Sequence, residues 1–204
     1  MRKLAIAAIL FATGCFLSGA LKAQAPNTLT KEESAAGWTL LFDGSTLKGW
    51  EPHQAATWAV ADGAIFCAAE RAGWLGTVGT FADFNLKIDF RGGAQMNSGI
   101  FIRSEKEGSP ATTGYEVQIW DTHPKYTTGA LVNSLEATPT KIRGDQWNTM
   151  EVTADGDHFV VVLNGQKLLD GRDSLHSSGV LGLQYNFNTG KIEFRNIKIR
   201  PIKH

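Results

Sequence analysis

The stretch Gly114-Tyr115-Glu116-Val117-Gln118-Ile119-Trp120-Asp121 carries the densest set of groups able to do chemistry. Side chains of a strand alternate between faces. Val117 and Ile119 therefore point toward a core, and Glu116, Gln118 and Trp120 point to the opposite face. A carboxylate, an amide and an indole side by side form a polar surface with a stacking platform; the plainer reading is a solvated outer face. Asp121-Thr122-His123-Pro124 follows at once and brings another carboxylate and an imidazole to the same rim, with Tyr126 just beyond. A carboxylate can orient an imidazole and raise its basicity, which makes His123 the candidate base and Asp121 its orienting partner. Glu, Asp and His together could also hold a divalent cation, although no His-x-x-x-His spacing defines a metal set. A neighbouring strand over Ser98–Arg103 would set Phe101 and Arg103 on one face. Of the other histidines, His53 falls in a loop after Trp50, His158 after an Asp-Gly-Asp turn and His176 in a polar loop, while His204 is terminal.

The elements that must position these groups are strands. Gly is 22 of 204 residues and sits in the turn dipeptides Asp43-Gly44, Asp62-Gly63, Asp155-Gly156 and Asn164-Gly165. Between them lie alternating runs of strand length. Phe84–Phe90 alternates over its whole length, and Phe159–Leu163, Asn164-Gly165, Gln166–Leu169 reads as a two-residue hairpin. In Ile192–Ile199 the apolar phase shifts by one residue, which predicts a bulge near Arg195-Asn196. A short helix is predicted over about 31–36, where Thr30 and Glu33 have capping-box spacing and Gly37 stops the helix. About a dozen short strands without an internal repeat predict a β-sandwich or barrel. Six tryptophans are mostly core or rim packing; Trp120 and Trp50 are the candidates for a sugar platform. No glycine-rich phosphate loop, Gly-x-Ser-x-Gly elbow or dinucleotide fingerprint is present.

The chain of 204 residues balances 20 Lys+Arg against 20 Asp+Glu. Without a basic excess, nucleic acid is not an expected partner. Residues 1–25 read as an export leader: Arg2 and Lys3, an apolar run over 4–12 too short to span a bilayer, then small residues. The leader holds three basic residues and no acid, so its removal leaves 17 positive against 20 negative charges. Ala12-Thr13-Gly14-Cys15 is similar to a lipoprotein box, so Cys15 is a candidate for a lipid anchor. The expected destination is the periplasm or the cell exterior. Residues 26–33 read as a tether and 34–204 as one domain. Cys67, in Ala64-Ile65-Phe66-Cys67, is expected to be a small buried hydrophobe.

Glu116-x-Gln118-x-x-Asp121 resembles the Glu-x-Asp-x-x-Glu strand of jelly-roll retaining glucanases, in which two carboxylates flank the glycosidic bond. Here Gln and Asp replace the last two carboxylates, which weakens a double-displacement reading. A longer, ordered set of stretches resembles the 3-keto-disaccharide hydrolase domain family. It comprises Gly37-Trp38-Thr39-Leu40-Leu41-Phe42-Asp43-Gly44 with Gly49-Trp50; Asn97-Ser98-Gly99-Ile100-Phe101-Ile102-Arg103; Gly114–Ile119 with Asp121 and His123-Pro124; Trp147-Asn148; Asn164-Gly165; Gly182-Leu183-Gln184; and Phe194–Ile199. The resemblance implies an all-β, concanavalin-like jelly roll of two antiparallel sheets. It also implies chemistry on glycosides whose C3 hydroxyl is oxidised to a ketone, by removal of the C2 proton, elimination at C1 and hydration. On that reading His123 is the base, Asp121 orients it, Arg103 or a divalent cation stabilises the enolate oxygen, and Glu116 is acid or metal ligand. Gln118, Gln184, Asn97, Tyr126, Asn186, Trp120 and Trp50 would hold the sugar. No cofactor other than that cation is implied. Family members commonly carry His at the position of Asn186, so substrate or catalysis can differ here. The rival readings are a carbohydrate-binding module without catalysis and a structural or partner-binding envelope protein.

Overall fold

The computed structural model describes residues 24–204 except 94 and 188. The leader, including Cys15, lies outside them apart from residues 24–25. A short helix, α1 (Lys31–Ala35), is followed by β1 (Thr39–Leu40), β2 (Trp50–Gln54), β3 (Trp58–Ala61), β4 (Ala64–Cys67), β5 (Gly73–Phe81), β6 (Phe84–Gly92) and β7 (Ser98–Ser104). A one-turn helix, α2 (Pro110–Thr113), precedes β8 (Tyr115–Ile119), β9 (Asn148–Asp155), β10 (His158–Leu163), β11 (Gln166–Arg172), β12 (Gly179–Tyr185) and β13 (Ile192–Pro201). The strands form two antiparallel sheets. One runs β11-β10-β9-β6-β13-β4-β3, with β1 added on β13, and the other runs β2-β5-β12-β7-β8. The strand pattern predicted a β-sandwich or barrel, and the two sheets form the jelly-roll β-sandwich that the family resemblance implies.

Local chemistry sets several joints. Thr30 accepts from Glu33 N at 3.0 Å and Glu33 returns a bond to Thr30 N at 3.0 Å, so the capping box forms. Asn164 and Gly165 both have positive φ, as a two-residue hairpin requires. The register of β13 slips between Arg195 and Lys198, with Asn196 in the left-handed region. Residues read as a tether are tied to the sandwich: Asn27 bonds Asn196 and the Gly63 carbonyl, and Glu33 pairs with Lys198.

The core lies between the sheets. The larger sheet contributes Phe84, Leu86, Ile88, Phe90, Met150 and Val152, and the smaller one Leu75, Ile100, Ile102, Val117, Ile119 and Leu183, all buried. Cys67 is buried and free. The outer face of the larger sheet is polar, laced by pairs such as Lys87–Glu151 and Arg91–Glu193. The outer face of the smaller sheet differs. It carries a second buried cluster, Trp74, Phe101 and Val180, with Ala111 of α2 packed against it.

Candidate functional site

Antiparallel pairing puts directly opposed residues on the same face. His53, Trp74 and Gln184 are opposed across β2, β5 and β12, and Gly99 opposes Gln118 across β7 and β8. Two residues along, Glu51, Gly76, Gly182, Phe101 and Glu116 form a second row across all five strands. Val117 and Ile119 are buried in the core, so Glu116 and Gln118 face outward as the alternation predicted.

Glycines shape the floor of this face. A Cβ on Gly99 would lie 2.5 Å from Glu116 Oε1; on Gly76, 2.5 Å from the Trp74 ring; and on Gly182, 2.7 Å from Trp74 and 3.1 Å from Phe101. Their missing Cβ atoms let Glu116, Trp74 and Phe101 lie down against the sheet. His53 stacks on Trp74 with centroids 4.0 Å apart and planes 10° apart, and Phe101 meets the indole edge-on at 5.9 Å. The segment after β7 folds back across this floor. Ala111 packs on it, and Lys106 of the same segment pairs with Glu51 of β2 at 3.0 Å. Beside this flap, Gln54, Trp74, Phe101, Ser109, Gln184 and Asn186 line a cleft of about 160 Å³. Gly182→Ala should lift Trp74 and Phe101 off the floor. Overpacking of this kind costs about 1–3 kcal/mol, so the variant should melt below the parent in a calorimetric scan.

Glu116 is buried, 6% exposed, and burial pushes its carboxyl up to about 7, with the Gln184 amide holding it back in part. A carboxyl out of water with no cation beside it resists ionisation. Gln118 Oε1, Gln184 Oε1 and His53 Nε2 are buried without a hydrogen-bond partner. Unpaired buried acceptors are costly unless a ligand or water satisfies them. The two amide oxygens accept only, so what satisfies them must donate, as a sugar hydroxyl does.

Two anchors hold β8 in place. At its start, Tyr115 Oη donates to Asp173 Oδ1 at 2.8 Å and accepts from His176 N at 3.0 Å. Beyond its end, Asp121 accepts from Thr128 Oγ1 at 2.5 Å and from Ile142 N at 2.9 Å. Asp121 thus organises the long connection to β9 and makes no bond to His123. His123 Nδ1 accepts from the backbone N–H groups of Lys125 and Tyr126, at 3.1 and 2.8 Å, and its ring meets Trp120 edge-on at 4.8 Å. With Nδ1 engaged as an acceptor, a neutral imidazole carries its proton on Nε2. The Asp121–His123 dyad is therefore not assembled, and both oxygens of Asp121 are taken up by Thr128 and Ile142.

Arg103 departs furthest from expectation. Its φ of +52° breaks the alternation of β7. The side chain is buried, 1% exposed, and donates to the carbonyls of Ala82, Gly156 and His176 and to Asp83. It joins the two sheets at the far end of β7 and does not enter the cleft. Trp50 packs in the core, with Nε1 donating to Leu41 O at 2.6 Å. Trp120 is half-exposed, its Nε1 bonded to Thr122. Asn97 and Tyr126 are half-buried near that rim, and Asn186 lines the cleft. Trp74 and His53 were not singled out from sequence: Gly73-Trp74-Leu75-Gly76 gives no clear polar face, and His53 lies in a strand instead of a loop. The one cluster with cation-like spacing among the described residues, Asp83, Asp155 and His204, lies at the Arg103 end, where Asp83 already pairs with Arg103.

Residues 37–200 match the 3-keto-alpha-glucoside-1,2-lyase-like domain. The chain belongs to this family. A candidate glycosyl hydrolase from Parabacteroides distasonis ATCC 8503 is similar in structure, with a TM-score of 0.77 and 26% identity over 88% of this chain and 100% of that one. A second from the same organism has a TM-score of 0.69 and 26% identity over 81% and 99%. The carbohydrate-binding module CBM66 from Bacillus subtilis shares the fold, with a TM-score of 0.60 and 23% identity over 74% and 95%. A search of curated protein sequences gives no match. The lyase-like domain is thus a carbohydrate-directed domain of glycosyl-hydrolase-like type.

Proposed function

We propose that this lyase-like domain cleaves 3-keto-glycosides by elimination and hydration, with Glu116 as the base. The carrying observation is a buried carboxyl, with a pKa of about 7, on a face lined by unpaired acceptors and an aromatic floor. The C3 ketone acidifies the C2 proton. Glu116, as carboxylate, takes that proton, and the C2–H electron pair becomes the C1–C2 double bond as the C1–O bond breaks. The departing alkoxide takes a proton from water. The hydroxide so formed adds to C1 and Glu116 returns its proton to C2, giving the free 3-keto sugar and restoring the carboxylate. A base works best when its pKa lies near the working pH, which a surface glutamate would not achieve. Gln118 and Gln184 would accept sugar hydroxyls and fix the ring over Glu116. His123, its Nδ1 engaged, would shape the rim with Trp120 and Tyr126.

The second reading is a binder without turnover. Asn186 favours it, standing where relatives commonly carry His, and the unpaired amide oxygens would serve a binder equally well. The leader supports export to the periplasm or the cell exterior, with Cys15 as a lipid anchor. The deciding experiment incubates the domain, residues 24–204, with 3-keto-trehalose and with a 3-keto-β-glucoside, with and without chelator. Release of the aglycone supports the lyase reading, and loss of release with chelator adds a cation to it. Sugar binding without release leaves the binding module.

A further inference from the structure

The Glu116 face is closed in this structure. Glu116 and Gln118 are 6% and 4% exposed, and Gln118 Oε1 and Gln184 Oε1 are out of reach of solvent. The cleft beside Gln184 measures about 160 Å³, below the roughly 300–1,000 Å³ of ordinary ligand pockets. A reaction at Glu116 therefore needs a cover that moves. Two connections border the face. The one after β8 is tied down: Gln118 N donates to Ala130 O, Val132 N donates to Glu116 O, and Asp121 holds Thr128 and Ile142. The flap between β7 and β8, residues 105–113, is held differently. Gly114 lies so close to Ser104 that a Cβ would not fit, and Ser104 Oγ donates to Pro110 O at 2.9 Å, so the flap has a narrow neck. A surface loop whose ends meet is a compact unit of its own. Its internal bonds run from Thr112 N and Thr113 N to Ser109 O and from Glu105 N to Thr113 Oγ1, and Gly108 turns the chain in the left-handed region.

Among the described residues, Lys106–Glu51 at 3.0 Å is the flap's one hydrogen bond or ion pair to a strand other than β7. Both side chains are exposed, at 37% and 47%, and an exposed pair shifts an equilibrium by about fivefold at most. Ala111 adds a small apolar contact to Trp74, Phe101 and Val180, which stay at most 3% exposed beneath this light cover. Phe101 is directly opposed to Glu116 across β7 and β8, so the strip under the flap is continuous with the Glu116 face. We infer that the flap is a lid on the Glu116 face, latched by the Lys106–Glu51 pair, and that ligands enter when the latch opens. The inference rests on the proposed reaction at Glu116 and adds to it the step that controls access. Entry into a site open for part of the time scales with the open fraction. Reversing one charge of the latch should raise that fraction, and reversing both should restore it.

The test reads access by thiol labelling of the domain, residues 24–204, and needs no turnover. Val180→Cys places a thiol beneath the flap, and Gln118→Cys places one beside Glu116. Cys67, buried in the core between the sheets, reports global unfolding in the same molecule. Well below the melting range, each engineered thiol should react with a small disulfide reagent at least about tenfold faster than Cys67, because local opening is cheaper than unfolding. Lys106→Glu should speed both thiols by a common factor of about three- to tenfold, and adding Glu51→Lys should return both to within about twofold of the starting rates. An engineered thiol no faster than Cys67, or a Gln118→Cys rate indifferent to Lys106→Glu, would overturn the lid. Turnover of 3-keto-trehalose decides the reaction separately. Labelling that follows the latch in a domain without turnover would keep the lid and remove the reaction at Glu116.

Discussion

Glu116→Gln should lower turnover of a 3-keto-glycoside by about 10²–10⁴-fold, the range typical for loss of a general base, while sugar binding stays within a few-fold. In the unaltered domain kcat/KM should rise with pH through about 7, because the base must first lose its proton. Stability should move the opposite way. The folded-state pKa of about 7 lies above the ordinary 4.5, so between these values the folded chain holds a proton that the unfolded chain has released. Stability is then greatest below about 4.5 and falls as pH rises toward 7, by on the order of 3 kcal/mol from this group. Glu116→Gln should remove that slope and melt higher than the parent at pH 8. A variant with full turnover, or a parent whose activity is flat between pH 5 and 8, would show that Glu116 is not the base.

Arg103→Met should be the most destabilising single change outside the core. It strands three carbonyl oxygens where Arg103 is 1% exposed and takes one partner from Asp83, which keeps the Gly156 N–H. Breaking such a buried arrangement costs about 3–5 kcal/mol, or on the order of 10 °C in Tm for a domain of this size. Arg103→Lys should recover only part of this, since an ammonium cannot reproduce the guanidinium fork. At a temperature where the variants remain folded, turnover of a 3-keto-glycoside should match the parent. A stable Arg103→Met protein that still binds sugar but has lost turnover would restore the oxyanion role expected from sequence.

Wherever neighbouring residues alone set the geometry, it was readable in advance. The Asn164-Gly165 hairpin, the Thr30–Glu33 capping box and the β13 bulge depend on a few adjacent positions, and all three formed. The outward direction of Glu116 and Gln118 followed from period two within one strand. The remaining site features depend on strands distant in the chain. Trp74 becomes the floor only because β2 and β12 flank it and Gly76 and Gly182 leave it room. His53 gains its place by pairing with Trp74, and Arg103 leaves the cleft through one left-handed residue that no apolar pattern announces. The Asp121–His123 pairing is lost to competing partners. Thr128, Ile142 and the Lys125–Tyr126 backbone satisfy the two side chains separately.

The alternation along β8 has a consequence for how the sandwich assembles. Tyr115, Val117 and Ile119 face the core, and Glu116 and Gln118 face the cleft. A slip of one residue would turn a carboxyl and an amide into the apolar interior and expel three large side chains. Glu116 and Gln118, the groups that the proposed reaction uses, thus also act as keys that admit a single alignment of this strand. Under that proposal, selection for the reaction and selection against misfolding act on the same two positions.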